Sequence, residues 1–201
     1  MQTAHPPIPP WGHHPVIQLP ETYQVRDFTQ GHSKAQLPFS VGKYNEDRRR
    51  MYHHDLFQDE LGGRTIHMGI DFGAPVGTAL YAIDDGIIYD MIYRDIPGDY
   101  GTVLITQHQF QEKDLWCLYG HLSKNSIQNY YKGQKVIKGQ EIAYIGDESE
   151  NGGWPPHLHF QLSWIKPHNC DLPGVVHKDQ HTQALSMYPD PQMILGRLYL
   201  D

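Results

Sequence analysis

Two short stretches, Ile66-His67-Met68-Gly69-Ile70-Asp71 and Pro156-His157-Leu158-His159-Phe160, decide how the rest of the chain is read. Each sets metal-capable side chains at even spacing inside a run of apolar, strand-forming residues. Successive side chains of a strand alternate faces, so His67 and Asp71 are expected on one side, and His157 with His159 likewise. Ile66, Ile70, Leu158 and Phe160 then point the other way, into a core. Four metal-capable groups on apolar strands are costly to bury unless something binds them. The pattern predicts a metal site.

Outward from these stretches, residues 64–162 read as all β. The runs are 65–72, 78–82, 86–93, 101–108, 114–119, 141–145 and 157–164, each short, β-branched or aromatic, and punctuated by Gly, Pro or Asp. Sustained helical periodicity is absent. The expected fold is all-β, a compact antiparallel sandwich or half-barrel spanning residues 61–166. Residues 1–60 read as a separate unit. Pro6, Pro7, Pro9, Pro10, Pro15 and Pro20 favour extended chain, while Trp11, Val16, Ile17, Leu19, Tyr23 and Phe28 give it an apolar side with which to wrap the body. Residues 44–57 predict a short helix capped by Asn45. Residues 167–201 read as a C-terminal cover with short helices over 178–187 and from Asp190-Pro191 through Leu195.

The chain has 201 residues and a formal charge of −7, and its only cationic run is Arg48-Arg49-Arg50. That run is short enough to be a solvated or salt-bridged patch, and the acidic balance argues against nucleic acid. Cys117 and Cys170 do not make a disulfide framework and read as reduced, partly buried thiols. Apolar runs are too short to cross a bilayer. Residues 1–7 lack a basic n-region and an apolar h-region, and the chain starts at methionine, so a cytoplasmic location is expected. Of the 14 histidines, most must lie outside any site; His13, His14, His53, His54, His108, His168, His177 and His181 read as surface or structural.

A catalytic zinc site uses three protein ligands and keeps one position open. His67, Asp71 and one histidine of the His157–His159 pair would supply that set, and the residues alone leave the choice within the pair open. His121, at the end of a strand in Tyr119-Gly120-His121-Leu122, adds a histidine able to move a proton or stabilise an oxyanion. The segment from His67 to Thr78 resembles the first motif of the lysostaphin/LytM-type zinc endopeptidases. Tyr119-Gly120-His121-Leu122-Ser123 resembles their middle motif, the run from Lys132 to Gln140 their glycine–glutamine turn, and Pro156-His157-Leu158-His159-Phe160 their final His-x-His. These motifs occur in the family's order over about half of the chain.

That resemblance implies zinc ligands His67, Asp71 and His159, a catalytic pair His121 and His157, a β-sandwich, and cleavage of glycyl or muropeptide-like peptides from bacterial wall cross-bridges. In this assignment His157 is the general base and His121 stabilises the oxyanion, with the two roles open to exchange. The sequence departs from the family at Gln161, where a glutamate is usual, and at Asn151-Gly152-Gly153-Trp154-Pro155-Pro156, where Trp154 would either narrow a groove or anchor packing. The run from Asn151 to Gln161, with Asp171-Leu172-Pro173-Gly174-Val175, also resembles a peptidase-like domain fused to class III aminotransferases. Two other readings compete. A non-catalytic regulatory module of the same fold would usually lack metal ligands that this chain keeps. A lipoyl-, biotinyl- or phosphoryl-carrier would need a modifiable tip lysine or a histidine pair, and has no use for Asp71 beside His67.

Overall fold

The computed structural model describes residues 2–31, 34–52, 55–59 and 62–200. Ahead of the first motif lie β1 (Gln2–Ala4), β2 (Tyr23–Arg26), β3 (Ser40–Gly42) and a ribbon of β4 (Gln58–Asp59) with β5 (Gly62–Gly63). The motif itself divides into β6 (Ile66–His67) and β7 (Ile70–Gly73). Then come β8 (Ala79–Tyr81), β9 (Gly86–Tyr93), β10 (Thr102–Phe110), β11 (Lys113–Leu122), β12 (Lys135–Val136), β13 (Glu141–Tyr144), β14 (His157–Ser163) and β15 (Val175–Val176). The cover contains α1 (His181–Met187) and α2 (Gln192–Leu195), both where the sequence placed helices. Asp190 Oδ1 accepts the Gln192 amide at 2.9 Å, the capping bond that Asp-Pro predicts. Among the described residues, no helix is long and apolar enough to cross a membrane.

Nine strands form the main sheet in the order β1-β2-β3-β7-β14-β11-β10-β9-β12, antiparallel throughout except for the β2–β3 pair. The all-β reading holds, and β-branched and aromatic residues account for it: the long strands β9, β10 and β11 present apolar side chains to both faces. On one face Ile70, Phe72, Leu104, Tyr119, Leu158 and Phe160 join one core, with the β8–β13 ribbon lying over them as a second layer. Burying each such side chain contributes about 1.5–3 kcal/mol. On the other face Ile66, Met68, Val103, Trp116 and Leu118 pack beneath Cys170, Leu172, Val176 and α1. Both cysteines are buried and unbridged, and burial pushes the Cys170 thiol up to about 12.

Two sequence expectations fail locally. Residues 44–57 do not form a helix. Asn45 has a left-handed backbone, φ 58°, and its amide donates to His67 O (2.8 Å), while the Arg48 amide donates to Thr65 O (2.8 Å). The segment is zipped to the edge of β6 instead, and helical residues there reduce to the single turn Asp55–Phe57. Tertiary pairing has overridden propensity. His53 and His54 lie outside the described residues. Second, Ile66 and Ile70 do not share a core: the strand breaks at Met68-Gly69, β6 pairs with β15 and β7 with β14. Ile66 consequently faces the second core and Ile70 the first.

Candidate metal centre

Across the middle of the sheet, Gly42, Asp71, His159 and Gly120 stand in one row on neighbouring strands. Alternation along β14 sends Leu158, Phe160 and Leu162 into the first core, so His157, His159 and Gln161 stand on the opposite face. His67 arrives from β6 past the break. Its Nε2, His159 Nδ1 and Asp71 Oδ1 form a nearly equilateral triangle of 3.0, 3.1 and 3.1 Å. Gly69 lets the chain pass, since a Cβ there would meet His159 Cε1 at 2.5 Å and Phe160 O at 2.8 Å.

His121 reaches the same face by a backbone irregularity. By simple alternation it would share the face of Tyr119, in the first core. Leu104 pairs with Tyr119 but Thr102 with Leu122, so β11 carries one residue more than β10 over this stretch. At this bulge His121 takes φ 64°, which returns Leu122 to the first core and turns the histidine toward the site. Histidine is among the residues enriched in that left-handed region, although the conformation still costs about 1 kcal/mol. His121 and His157 then stack with ring centroids 4.2 Å apart.

Each of the four histidines has one ring nitrogen committed to an oxygen. His67 Nδ1 lies 2.9 Å from Lys43 O, His121 Nδ1 2.8 Å from Asn151 O, and His157 Nδ1 2.7 Å from Pro155 O. Backbone carbonyls only accept, so those nitrogens carry the hydrogens. His159 Nε2 lies 3.1 Å from Gln161 Oε1, and the Gln161 amide donates to Pro173 O at 3.3 Å, which fixes the oxygen toward the imidazole. Gln161 therefore supplies, without a charge, the acceptor that orients His159, a candidate metal ligand. The remaining nitrogens present lone pairs to the site. Three lone-pair atoms about 3 Å apart with no hydrogen between them repel, whereas one face of a tetrahedron around an ion with ~2 Å bonds has edges of roughly 3.3 Å. Imidazole, imidazole and carboxylate are zinc donors, and the residues fit that ion.

Electrostatics agree. Burial, then the Arg48 charge, lowers His67 to about 4, and burial lowers His157 and takes His121 well below 6.5. All three are neutral at pH 7, the form in which imidazole binds a metal or accepts a proton. Burial alone would raise Asp71, but His67 and Arg48 outweigh it and hold the carboxyl well below the usual range. Arg48 is not part of a surface patch: its guanidinium is buried and ion-paired with Asp71 and Glu46 (2.8 Å), while Arg49, against Asp47, and Arg50 lie out on the surface. Sequence reading missed Arg48, since only the zipped segment brings it to the site.

The site opens into a cavity of about 250 Å³, walled by Phe28, Tyr52, Phe57 and Trp154 among others. Trp154 fills both roles considered for it, as a cavity wall and as a ring packed edge-on to Tyr52 and Phe57 at 6.3 and 6.2 Å. His13 pairs with Asp84 (3.1 Å), His108 is buried beside Thr106 (2.8 Å), and His181 contacts Asn45 (2.5 Å), so these histidines take no part in the site.

Comparison with known proteins gives a consistent result. The chain is 35% identical over 96 residues to the peptidoglycan DD-endopeptidase ShyA of Vibrio cholerae, and 35% identical over 95 residues to the glycyl-glycine endopeptidase ALE-1 of Staphylococcus capitis. These matches cover 48% and 47% of this chain but only 20% and 24% of those relatives. A solved catalytic domain of the prophage-encoded M23 protein EnpA from Enterococcus faecalis covers 71% of this chain and 90% of its own, at 25% identity and a TM-score of 0.47. The family model for Peptidase family M23 matches residues 65–171, more than half of the sequence, which include His67, Asp71, His121, His157, His159 and Gln161 but not Lys43 or Arg48, and the chain belongs to that family.

Proposed function

We propose that the chain is a zinc-dependent endopeptidase that hydrolyses glycyl or peptidoglycan cross-bridge-like peptides. The observation that carries this is the convergence of five groups with complementary duties: a donor triangle of His67, Asp71 and His159, and beside it two stacked, neutral imidazoles, His121 and His157, lining the same cavity. Zinc held there acidifies a water toward a pKa of ~7 and polarises the scissile carbonyl. His157 stands at the cavity side with Nε2 4.0 Å from Asp71 Oδ1, close enough to take a proton from a water beside that carboxylate. Its burial is less complete than that of His121, which suits it to exchange protons at neutral pH. Having gained a proton, the pair can stabilise the oxyanion or return the proton to the leaving amine. The Nδ1–H bonds to Asn151 O and Pro155 O keep both rings in place while this happens.

The substrate reading rests on the names of the relatives, a peptidoglycan DD-endopeptidase and a glycyl-glycine endopeptidase. A purely regulatory role is not favoured, because the ligand set is complete. The test is a metal assay paired with a screen of glycyl peptides and muropeptides. His157→Ala and His121→Ala are expected to keep one zinc per chain and lose 10²- to 10⁴-fold in turnover. Loss of zinc in either variant would overturn the division of labour.

A further inference from the structure

Arg48 is fixed on every edge. Its Nε donates to Glu46 Oε2 at 2.8 Å, Nη2 to Lys43 O at 3.1 Å, and Nη1 to Tyr52 Oη at 3.3 Å and to Asp71 Oδ2. The guanidinium carbon lies 4.7 Å from the Phe28 ring centre, and the Phe28 amide donates to the other oxygen of Glu46 at 3.0 Å. Gly42 leaves the room: a Cβ there would stand 2.7 Å from the Phe28 ring and 2.9 Å from Nη2. The residue is 1% exposed. A charge so enclosed holds its place only through its partners.

The consequence falls on Asp71, whose two oxygens are divided. Oδ2 belongs to Arg48, and Oδ1 completes the triangle with His67 and His159. A carboxylate can offer a metal one oxygen or two. With two histidines, a two-oxygen aspartate fills four positions, whereas a one-oxygen aspartate fills three and leaves a place for water or substrate. We propose that Arg48 is a positioning residue that keeps Asp71 a one-oxygen ligand and so holds the fourth coordination position open. This rests on the zinc reading above. Swinging Oδ2 to the metal would strip a buried guanidinium of its main counter-ion. Lys43 O, which accepts from both His67 Nδ1 and Arg48 Nη2, ties the same clamp to a second ligand.

The experiment uses the whole chain loaded with cobalt(II), whose visible bands report what surrounds the ion, titrated with acetohydroxamate as a probe of the open position. In the native protein the bands shift on titration. In Arg48→Met the ion is expected to stay bound while acetohydroxamate affinity falls at least tenfold and kcat falls with KM changed less than threefold. Arg48→Lys, which keeps charge and length but loses the fork, should fall between. Unchanged acetohydroxamate affinity in Arg48→Met overturns the proposal, and so does loss of the metal, which would make Arg48 a general support of the site. Where Arg48→Met does not fold by circular dichroism, Arg48→Lys decides by the same two criteria. A native chain that binds neither zinc nor cobalt overturns the zinc reading itself, an outcome visible before any variant is made.

Discussion

At the scale of single residues, three imidazoles of the centre, His67, His121 and His157, are kept neutral by burial. His67 titrates near 4 in the fold against 6.5 in an unfolded chain, and His108 and His121 shift the same way. A depressed folded value means that the unfolded chain binds the proton more readily. The stability conferred is complete above pH ~6.5 and drains away as pH falls toward 4, by on the order of 3 kcal/mol for His67 alone. Melting curves of metal-free protein from pH 7.5 to 4.5 should show a steadily falling Tm; a flat profile would contradict neutral burial. Of the five candidate groups, His67, Asp71, His157 and His159 stood out in the sequence by their even spacing, whereas the choice within the His157–His159 pair and the part given to His121 came from the family resemblance. Gln161, two residues along the same strand from His159, was singled out in the sequence as a departure from the family, but Lys43 and Arg48 were not, since their partners lie 24 and 23 residues away and only packing brings them within reach.

At the scale of elements, the strands of residues 79–163 were legible because their cores alternate, and the terminal helices because Asp190-Pro191 and the preceding polar run mark their starts. What hid from view were breaks in regularity. The bulge in β11 reverses the face of His121, and the gap at Met68-Gly69 hands β6 to a different partner strand. A tight approach of this kind is testable. Gly69→Ala forces a methyl into the His159 ring and the Phe160 carbonyl, so a loss of about 1–3 kcal/mol in stability and a 10- to 100-fold weaker zinc affinity are expected. Equal zinc affinity, measured by competition with a chromophoric chelator, would show that the site can absorb the shift. The short helix expected over residues 44–57 was lost for the same reason: local capping chemistry competes with an edge strand that offers three backbone hydrogen bonds and a buried ion pair.

At the scale of the whole molecule, the proline-rich region is built into the fold. Val16 and Ile17 lie against Leu80 in the first core, on the face away from the centre, while β2 and β3 extend the sheet beside Asp71. Removal of residues 1–40 takes away Val16, Ile17, Tyr23 and Val25, each worth about 1.5–3 kcal/mol of burial, a sum comparable to the ~5–15 kcal/mol of a typical domain. The truncated chain should melt far lower and lose activity on a small glycyl peptide; equal or higher activity would mean that the region merely covers the site. The ends of the nine-stranded sheet carry one more consequence. On one side it finishes in three-residue β1, followed within two residues by Pro6-Pro7, and on the other in two-residue β12, which begins at Lys135 and lies between Gly133 and Gly139. Borders so short, interrupted by proline and charge, offer a passing chain too few free amides to add another strand. Strand addition at these two terminal strands is thereby disfavoured, which leaves the part of β9 beyond its two-residue pairing with β12 as the longer margin of the sheet.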